Sequence, residues 1–251
     1  DLGISGAAIA SSLAEMGSLV VLCIYTRAKI DKVKYGLKPV YDGRLLIKVL
    51  NLSVWSMLHA FISVAPWFLF FVAIEHLGKT ELAISNITRS VSAIFFVIAN
   101  SFAVTTGSLV SNAIGARARN ELFPICHKVL KLGYAVGIPF VVVALLCNRW
   151  IVSFYTDNEL LIELAFAPFV VMLLNYTFAL PGYVYLNAVG GTGKTKITFL
   201  FQVTTTCAYL VYLYWLSFCI KASLSLYLTA EYLFVILLAL QSIIYLKSKH
   251  Y

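Results

Sequence analysis

Seven long apolar runs constrain this chain more than any other feature of its sequence. About 20 apolar residues in helical form cross a bilayer core, where each backbone polar group needs a partner within the protein. Hydrophobic residues make up 61% of the chain and charged residues 12%, a composition that excludes an ordinary water-soluble domain. The sequence therefore predicts an all-α polytopic membrane helix bundle with seven transmembrane helices. The predicted spans are Leu2–Thr26, Val49–Ile74, Glu81–Ile114, Leu132–Thr156, Leu164–Gly190, Ile197–Ile220 and Ala222–Leu246.

The distribution of basic residues predicts how the chain lies in the membrane. When alternate connections are counted, fifteen Lys and Arg residues fall on one side and three on the other. Cytoplasmic loops of membrane proteins are enriched in Lys and Arg, so we expect the C-terminus to be cytoplasmic. The same bias accounts for the formal net charge of +8, and we expect no nucleic-acid partner.

Motifs for enzyme chemistry are weak. The segment Gly191–Thr195 ends like a phosphate-binding loop, but that motif requires glycine at the position of Ala188. Ser5 and His59 would lie near opposite ends of their helices, outside hydrogen-bond reach of each other. The five scattered cysteines lack metal-ligand spacing and are interpreted as free thiols. We therefore expect no catalytic residues, no metal site and no cofactor, and a seven-helix receptor or membrane enzyme lacks an anchoring residue.

Polar side chains repeat at helical spacing in three predicted spans. They are His59, Ser63 and Trp67 in the second span, Asn86, Arg89 and Asn100 in the third, and Asn175, Tyr176, Tyr183 and Asn187 in the fifth. Two interpretations remain open for these stripes. They form hydrogen bonds between packed membrane helices, or they line an aqueous cavity that admits an organic cation. For Arg89, the alternative to a functional role is an ion pair with Glu75 or Glu81 at the external rim.

Glu15 is the candidate for ion coupling. It lies near the centre of the first predicted span and is the only carboxylate that we place near the middle of any span. The charged form of a carboxyl group is disfavoured in a low-dielectric site, and the nearest basic residue on its helix is Arg27. Glu15 could therefore take up and release a proton during transport. The alternative is a structural glutamate that packs its helix against neighbouring helices.

Four stretches carry a resemblance to a known family. They are Gly3–Ala10, Leu82–Asn86 followed by Val110–Ala116, Asn187–Thr195, and the terminal span that ends at Lys247. In order and spacing the chain resembles the multidrug and toxic compound extrusion (MATE) transporters, and Trp67–Gly78 is similar to a Bacteroidetes-type branch. The resemblance implies a C-terminal portion of such a transporter. Residues 1–26 would be the last helix of the N-lobe, 27–48 a basic cytoplasmic connector, and 49–251 the six-helix C-lobe. About five further helices would lie upstream.

The resemblance also implies a function, which is secondary active multidrug efflux. Cationic amphipathic compounds would be exchanged for Na⁺ or H⁺ by alternating access, in a multi-pass protein of the bacterial inner membrane. The expected partners are small organic cations or drugs, membrane lipid and the N-lobe of the same chain, with the protein a monomer. The alternative within the superfamily is a lipid-linked oligosaccharide flippase. Some branches carry carboxylates at positions that match Ser63 and Ala179, neither of which ionises.

Overall fold

The computed structural model describes residues 3–30, 41–220 and 223–248, and these ranges contain helices and no strand. The α-helices are α1 (Gly3–Lys29), α2 (Gly43–Glu75), α3 (Lys79–Gly115), α4 (Leu122–Leu146), α5 (Asn148–Ser153), α6 (Glu159–Leu174), α7 (Tyr176–Gly191), α8 (Thr195–Trp215) and α9 (Leu224–Lys247). A 3₁₀ turn covers Arg119–Glu121, and a π-helical turn covers Leu216–Ile220. Seven helical segments are long and apolar enough to cross a membrane, with α6 and α7 forming one of them. The predicted all-α bundle is confirmed.

The fourth predicted span, Leu132–Thr156, has the wrong boundaries. Helix α4 runs from Leu122 to Leu146, and the short helix α5 follows it as a separate element. Pro124 lies in the first turn of α4, where a missing N–H costs no helical hydrogen bond. Cys147 leaves the helical region with φ −96° and ψ 15°, and this ends the helix. Apolar residues resume directly after Asn148 and Arg149, so hydropathy averaged over a long window merges the two helices.

The chain divides into two units, Asp1–Lys48 and Val49–Tyr251. In the first unit, the membrane-length part of α1, Ile9–Lys29, has no buried residue. In the second unit, buried apolar side chains from α2 to α9 form one core. The outer surface of the second unit is also apolar, with large side chains such as Val97 and Leu240 at least half exposed. An apolar exterior around a packed core is the arrangement that a lipid surrounding allows.

Helix α7 is the central helix of the second unit, where it packs against α3, α4 and α9. Nine of its 16 residues are buried. The contact with α9 requires glycine at position 182, because an added Cβ would lie 2.7 Å from the backbone oxygen of Val235. At Gly107 of α3, an added Cβ would lie 3.2 Å from the backbone oxygen of Asn187. These close approaches hold both α3 and α9 against α7.

The span formed by α6 and α7 is interrupted at Asn175. Six residues later, Pro181 cannot donate a hydrogen bond to the carbonyl group of Thr177, four residues before it. The Tyr134 hydroxyl of α4 donates to that carbonyl oxygen instead, at 2.7 Å. Neighbouring side chains commonly satisfy backbone groups freed by proline in membrane helices. The interrupted segment faces the cavity described below.

Candidate substrate-binding cavity

A cavity of about 350 Å³ lies among α2, α3, α6, α7 and α9 of the second unit. Its walls are mainly aromatic and aliphatic, with a few polar groups. The lining residues are Ser63, Val64, Pro66, Trp67, Arg89, Ser92, Ala93, Phe95, Phe96, Ala99, Met172, Asn175, Tyr176, Ala179, Tyr183, Glu231 and Phe234. Ligand pockets in proteins typically measure roughly 300–1,000 Å³ and combine apolar walls with a few convergent polar groups. The cavity therefore has the size and the lining of a site for a small organic molecule.

Two residues of opposite charge meet in this cavity. A terminal nitrogen of Arg89 on α3 donates to Glu231 Oε1 on α9 at 2.5 Å. The hydroxyl group of Tyr209, on α8, donates to the same carboxylate oxygen at 3.3 Å. Both charged side chains are largely buried. Charges inside a membrane bundle are costly unless they are paired, so this pair satisfies the main requirement for keeping either residue there.

Three aromatic rings of α2 surround the guanidinium group of Arg89. Its central carbon lies 4.1 Å from the ring centroid of Phe70, 5.4 Å from that of Phe71 and 6.0 Å from that of Trp67. A cation within about 6 Å of an aromatic face is attracted by the ring quadrupole. Arg89 therefore has two sources of stabilisation, the Glu231 carboxylate and the aromatic rings of α2.

The pairing of Arg89 differs from the predicted alternative, an ion pair with Glu75 or Glu81. Glu81 is eight residues before Arg89 on the same helix, so at 1.5 Å per residue it is about 12 Å away along the axis. Glu75 is the last residue of α2 and is exposed. The partner is Glu231, 142 residues away in sequence. The contact depends on the packing of both α3 and α9 against α7.

Tyrosine and asparagine residues of the interrupted span complete the cavity wall. Tyr183 makes an edge contact with Phe96, with ring centroids 5.5 Å apart. The hydroxyl group of Tyr176 donates to the Gly133 backbone oxygen at 2.8 Å. Asn175 is buried, and its side-chain oxygen accepts no hydrogen bond from any described residue. A buried amide without a partner is uncommon, which makes Asn175 the polar group of this wall most open to a ligand.

The structure brings together members of all three predicted polar stripes. Six of the predicted residues line the cavity: Ser63, Trp67, Arg89, Asn175, Tyr176 and Tyr183. The remaining four do not: His59, Asn86, Asn100 and Asn187. Asn86 and Asn100 are exposed, and Asn187 donates along its own helix to the Tyr183 backbone oxygen at 3.0 Å. His59 is half-buried one turn before Ser63, and its Nε2 lacks a partner among the described residues.

Glu15 lies on α1 in the first unit, where its side chain is exposed. The carboxylate that lines the cavity is a different one. Glu231 lies two turns inside α9 and is largely buried in the second unit. The available signal was the isolated acidic residue in an otherwise uncharged run. Tyr209 was also missed, since a single tyrosine in an apolar helix has no distinguishing pattern.

Metal-binding residues do not cluster in the part of the chain that the structure describes. Within residues 3–30, 41–220 and 223–248, no group of three or more His, Cys, Asp or Glu side chains could hold a metal ion. Four cysteines in these ranges, Cys23, Cys126, Cys147 and Cys207, are free thiols. The side chain of Cys219 lies outside the described residues.

The family model for MatE matches residues 56–215, which is more than half of the chain and extends from α2 to the end of α8. The chain belongs to the MatE family. No curated protein gives a significant match to it. Membership in this family, together with the seven apolar helical segments, makes this MatE chain a multi-pass membrane protein.

Solved MATE structures share the fold of this MatE chain. A crystal structure of MATE in complex with MaL6 matches with a TM-score of 0.80 and 16% identity, over 99% of this chain and 57% of that one. An outward-facing multidrug resistance MATE family transporter of the MOP superfamily matches with a TM-score of 0.71 and 18% identity, over 80% of this chain and 45% of that one. A crystal structure of MATE in the bent conformation matches with a TM-score of 0.69 and 18% identity, over 79% of this chain and 44% of that one. The MatE chain spans about half the length of these structures.

Proposed function

We propose that this MatE chain forms the C-terminal part of a secondary transporter that exports cationic, amphipathic compounds. One observation carries the proposal: a cavity of about 350 Å³ inside the helical unit combines aromatic walls with the carboxylate of Glu231. Membership in the MatE family supports transport as the activity. In this proposal, residues 49–251 are the C-lobe, residues 1–26 are the last helix of the N-lobe, and helices upstream complete that lobe.

The cavity offers an amphipathic cation two kinds of interaction. Trp67, Phe96 and Tyr183 provide apolar area and ring faces, which attract a cation more strongly when water is excluded. Glu231 provides a negative charge next to these rings. Neither interaction requires a particular ligand shape, so such a site would accept many compounds that share a positive charge and a flat apolar body. Broad acceptance of this kind is what multidrug export requires.

Energy for export would come from the entry of Na⁺ or H⁺. We propose Glu15 as the residue that couples ion entry to export, because it is an acidic group in a helix whose other charged residues, Arg27 and Lys29, lie in the last turn. The two lobes would rock about the cavity, which would open in turn to each side of the membrane. We further propose a bacterial inner-membrane location, a cytoplasmic C-terminus and a monomer surrounded by lipid.

One observation favours a second candidate, a flippase for an anionic amphipath such as a lipid-linked oligosaccharide. Arg89 Nε is buried and donates to none of the described residues, so it could donate to a phosphate oxygen. However, Arg89 and Glu231 are the charged residues among the described lining of the cavity, and they are paired. A site that binds a pyrophosphate would need several positively charged side chains. Cation export is therefore the preferred candidate.

Transport of ethidium by the full-length protein in proteoliposomes tests the proposal. We expect wild-type protein to export ethidium against an applied Na⁺ or H⁺ gradient, and Glu231→Gln to reduce the rate at least about tenfold, equivalent to about 1.4 kcal/mol. Glu159→Gln is the matched control, because Glu159 is an exposed acidic partner of an arginine. Glu15→Gln should remove the dependence on the ion gradient. A wild-type protein that moves lipid-linked anions but no cation would support the flippase instead.

A further inference from the structure

The Glu231 carboxylate has one occupied and one open oxygen. Oε1 accepts from both Arg89 and Tyr209, whereas Oε2 accepts no hydrogen bond from the residues that the structure describes. Glu231 also lines the cavity. A cationic ligand that approaches Glu231 therefore finds a carboxylate already occupied on one side by a guanidinium group of the protein itself.

The charge of the cavity wall depends on where Arg89 is directed. While Arg89 and Glu231 are paired, they present little net charge to a ligand, and a bound organic cation would be repelled by Arg89 about as strongly as it is attracted by Glu231. If the guanidinium group moves away from Glu231, the carboxylate becomes available. The binding of cations therefore requires a second position for the arginine.

In the structure the guanidinium group contacts Glu231 and the aromatic rings of α2 at the same time, so these rings would still hold it after the carboxylate is released. The guanidinium carbon already lies 4.1 Å from the Phe70 centroid, and the rings of Phe71 and Trp67 are within 6.0 Å. Its Nε is free of hydrogen bonds to described residues, so only the contact of a terminal nitrogen with Glu231 has to break. A small rotation of the end of the side chain would leave the cation stabilised by the ring faces.

We propose that Arg89 is a tethered counter-cation that competes with the transported cation for the carboxylate of Glu231. A substrate binds by displacing the guanidinium group from Glu231, so that the rings of Phe70, Phe71 and Trp67 alone hold it, and departure of the substrate lets Arg89 return to the carboxylate. The empty carboxylate is thereby never left as an unpaired charge in the membrane. Arg89 sets a threshold for binding, so that weakly held cations do not remain in the cavity. This inference rests on the proposed function.

The competition predicts that replacing Arg89 and replacing Glu231 change the Kd for a cation in opposite directions. In the purified full-length protein, with ethidium as the probe, Arg89→Gln should lower the Kd at least about tenfold and Glu231→Gln should raise it at least about tenfold. The double variant should bind with a Kd between those of the two single variants, because it removes the attraction of the carboxylate and the repulsion of the guanidinium group together. A purely structural ion pair would instead weaken binding in both single variants, and that result would overturn the inference.

Two further measurements distinguish the loss of the arginine's charge from two other effects of the substitution, which are a larger cavity and a failure to fold. An uncharged planar aromatic compound of the same size as ethidium should bind Arg89→Gln with an unchanged Kd, and an equal gain for this compound would mean that the substitution merely makes room. Phe70→Leu keeps both charges but removes the nearest ring, so it should raise the Kd for ethidium about threefold. This variant gives the answer if Arg89→Gln does not fold, and an unchanged Kd in Phe70→Leu would contradict the inference.

The outcomes also separate this inference from the proposed function. If wild-type protein exports ethidium and Arg89→Gln does not bind it more tightly, the competition is wrong and cation export stands. If neither wild-type protein nor Arg89→Gln binds ethidium or moves it across the membrane, both proposals are overturned. Arg149→Gln, in an exposed arginine that is not among the lining residues, serves as the control and should leave the Kd unchanged.

Discussion

Arg89 and Glu231 meet at 2.5 Å inside the second unit, and Arg149 and Glu159 meet at 2.8 Å on its surface. The side chains of the first pair are 6% and 16% exposed, and those of the second pair are 76% and 77% exposed. The first pair joins α3 to α9 across 142 residues, whereas the second joins α5 to the start of α6 across ten. Within the described ranges, the same two residue types therefore form one pair in the packed interior and one at the rim.

This difference in burial decides what each pair does. At the rim, water solvates both charges, so removing one partner leaves the other charge solvated at little cost in free energy. In the interior, neither charge can be left alone without a large cost, so each residue fixes the position of the other. A buried pair that can exchange partners is suited to binding a ligand, because the cost of separating it is met by the ligand's own charge.

Removing one acidic partner should produce the largest difference between the two regions. Glu231→Ala leaves Arg89 without its carboxylate and should lower the free energy of unfolding by about 3–5 kcal/mol. Glu159→Ala should lower it by at most about 1 kcal/mol. Denaturant unfolding of the full-length protein in detergent measures both values. Equal losses in the two variants would show that burial does not distinguish the pairs.

Replacing a buried glycine and an exposed glycine by alanine compares the two regions in how closely their helices are packed. Gly182→Ala would place a Cβ 2.7 Å from the Val235 backbone oxygen, and α7 and α9 would have to separate. We expect a loss of about 1–3 kcal/mol. Gly115→Ala, at the end of α3, has no heavy atom within 4 Å of the new Cβ and should be neutral or slightly stabilising. Thermal unfolding of both variants checks this, and a stable Gly182→Ala would argue against close packing of α7 on α9.

High salt should have the smallest effect on stability, and it should weaken the exposed pair of Arg149 and Glu159 but not the buried pair of Arg89 and Glu231. At about 1 M salt the Debye length is about 3 Å, which screens exposed charges but not a buried pair. The stability difference between wild type and Glu159→Gln should then disappear, while the difference between wild type and Glu231→Gln should remain. Unfolding measured at low and high salt tests this, and a salt-sensitive Glu231→Gln would indicate that water reaches the pair freely.

The sequence predicted the helices of this molecule better than the contacts between them. Span number follows from apolar length alone, and all seven segments are present. Helical spacing selected Trp67, Arg89 and Tyr183, which line the cavity, but it also selected Asn86 and Asn100, which are exposed on α3 and lie outside that lining. Periodicity identifies a face of a helix without saying which neighbour covers it.

The partner of Arg89 could not be predicted from the sequence. Only the packing of α3 and α9 against α7 brings Glu231 to Arg89, and that packing depends on close backbone approaches at residues such as Gly107 and Gly182. Local arguments instead favoured acidic residues near in sequence, such as Glu81. An isolated acid and an isolated base in different apolar spans would have been the better signal, since each requires a partner that its own span lacks.

Access of a water-soluble thiol reagent to the cavity tests the central claim most directly. In a full-length variant without its native cysteines, Ala93→Cys would place a thiol on α3 within the cavity lining, and Val97→Cys would place one on an exposed part of α3 outside that lining. We expect the reagent to label Ala93→Cys, ethidium to protect it, and Val97→Cys to remain unlabelled in the bilayer. Labelling of Ala93→Cys that ethidium leaves unchanged, or equal labelling of the two positions, would contradict a substrate cavity at Arg89 and Glu231.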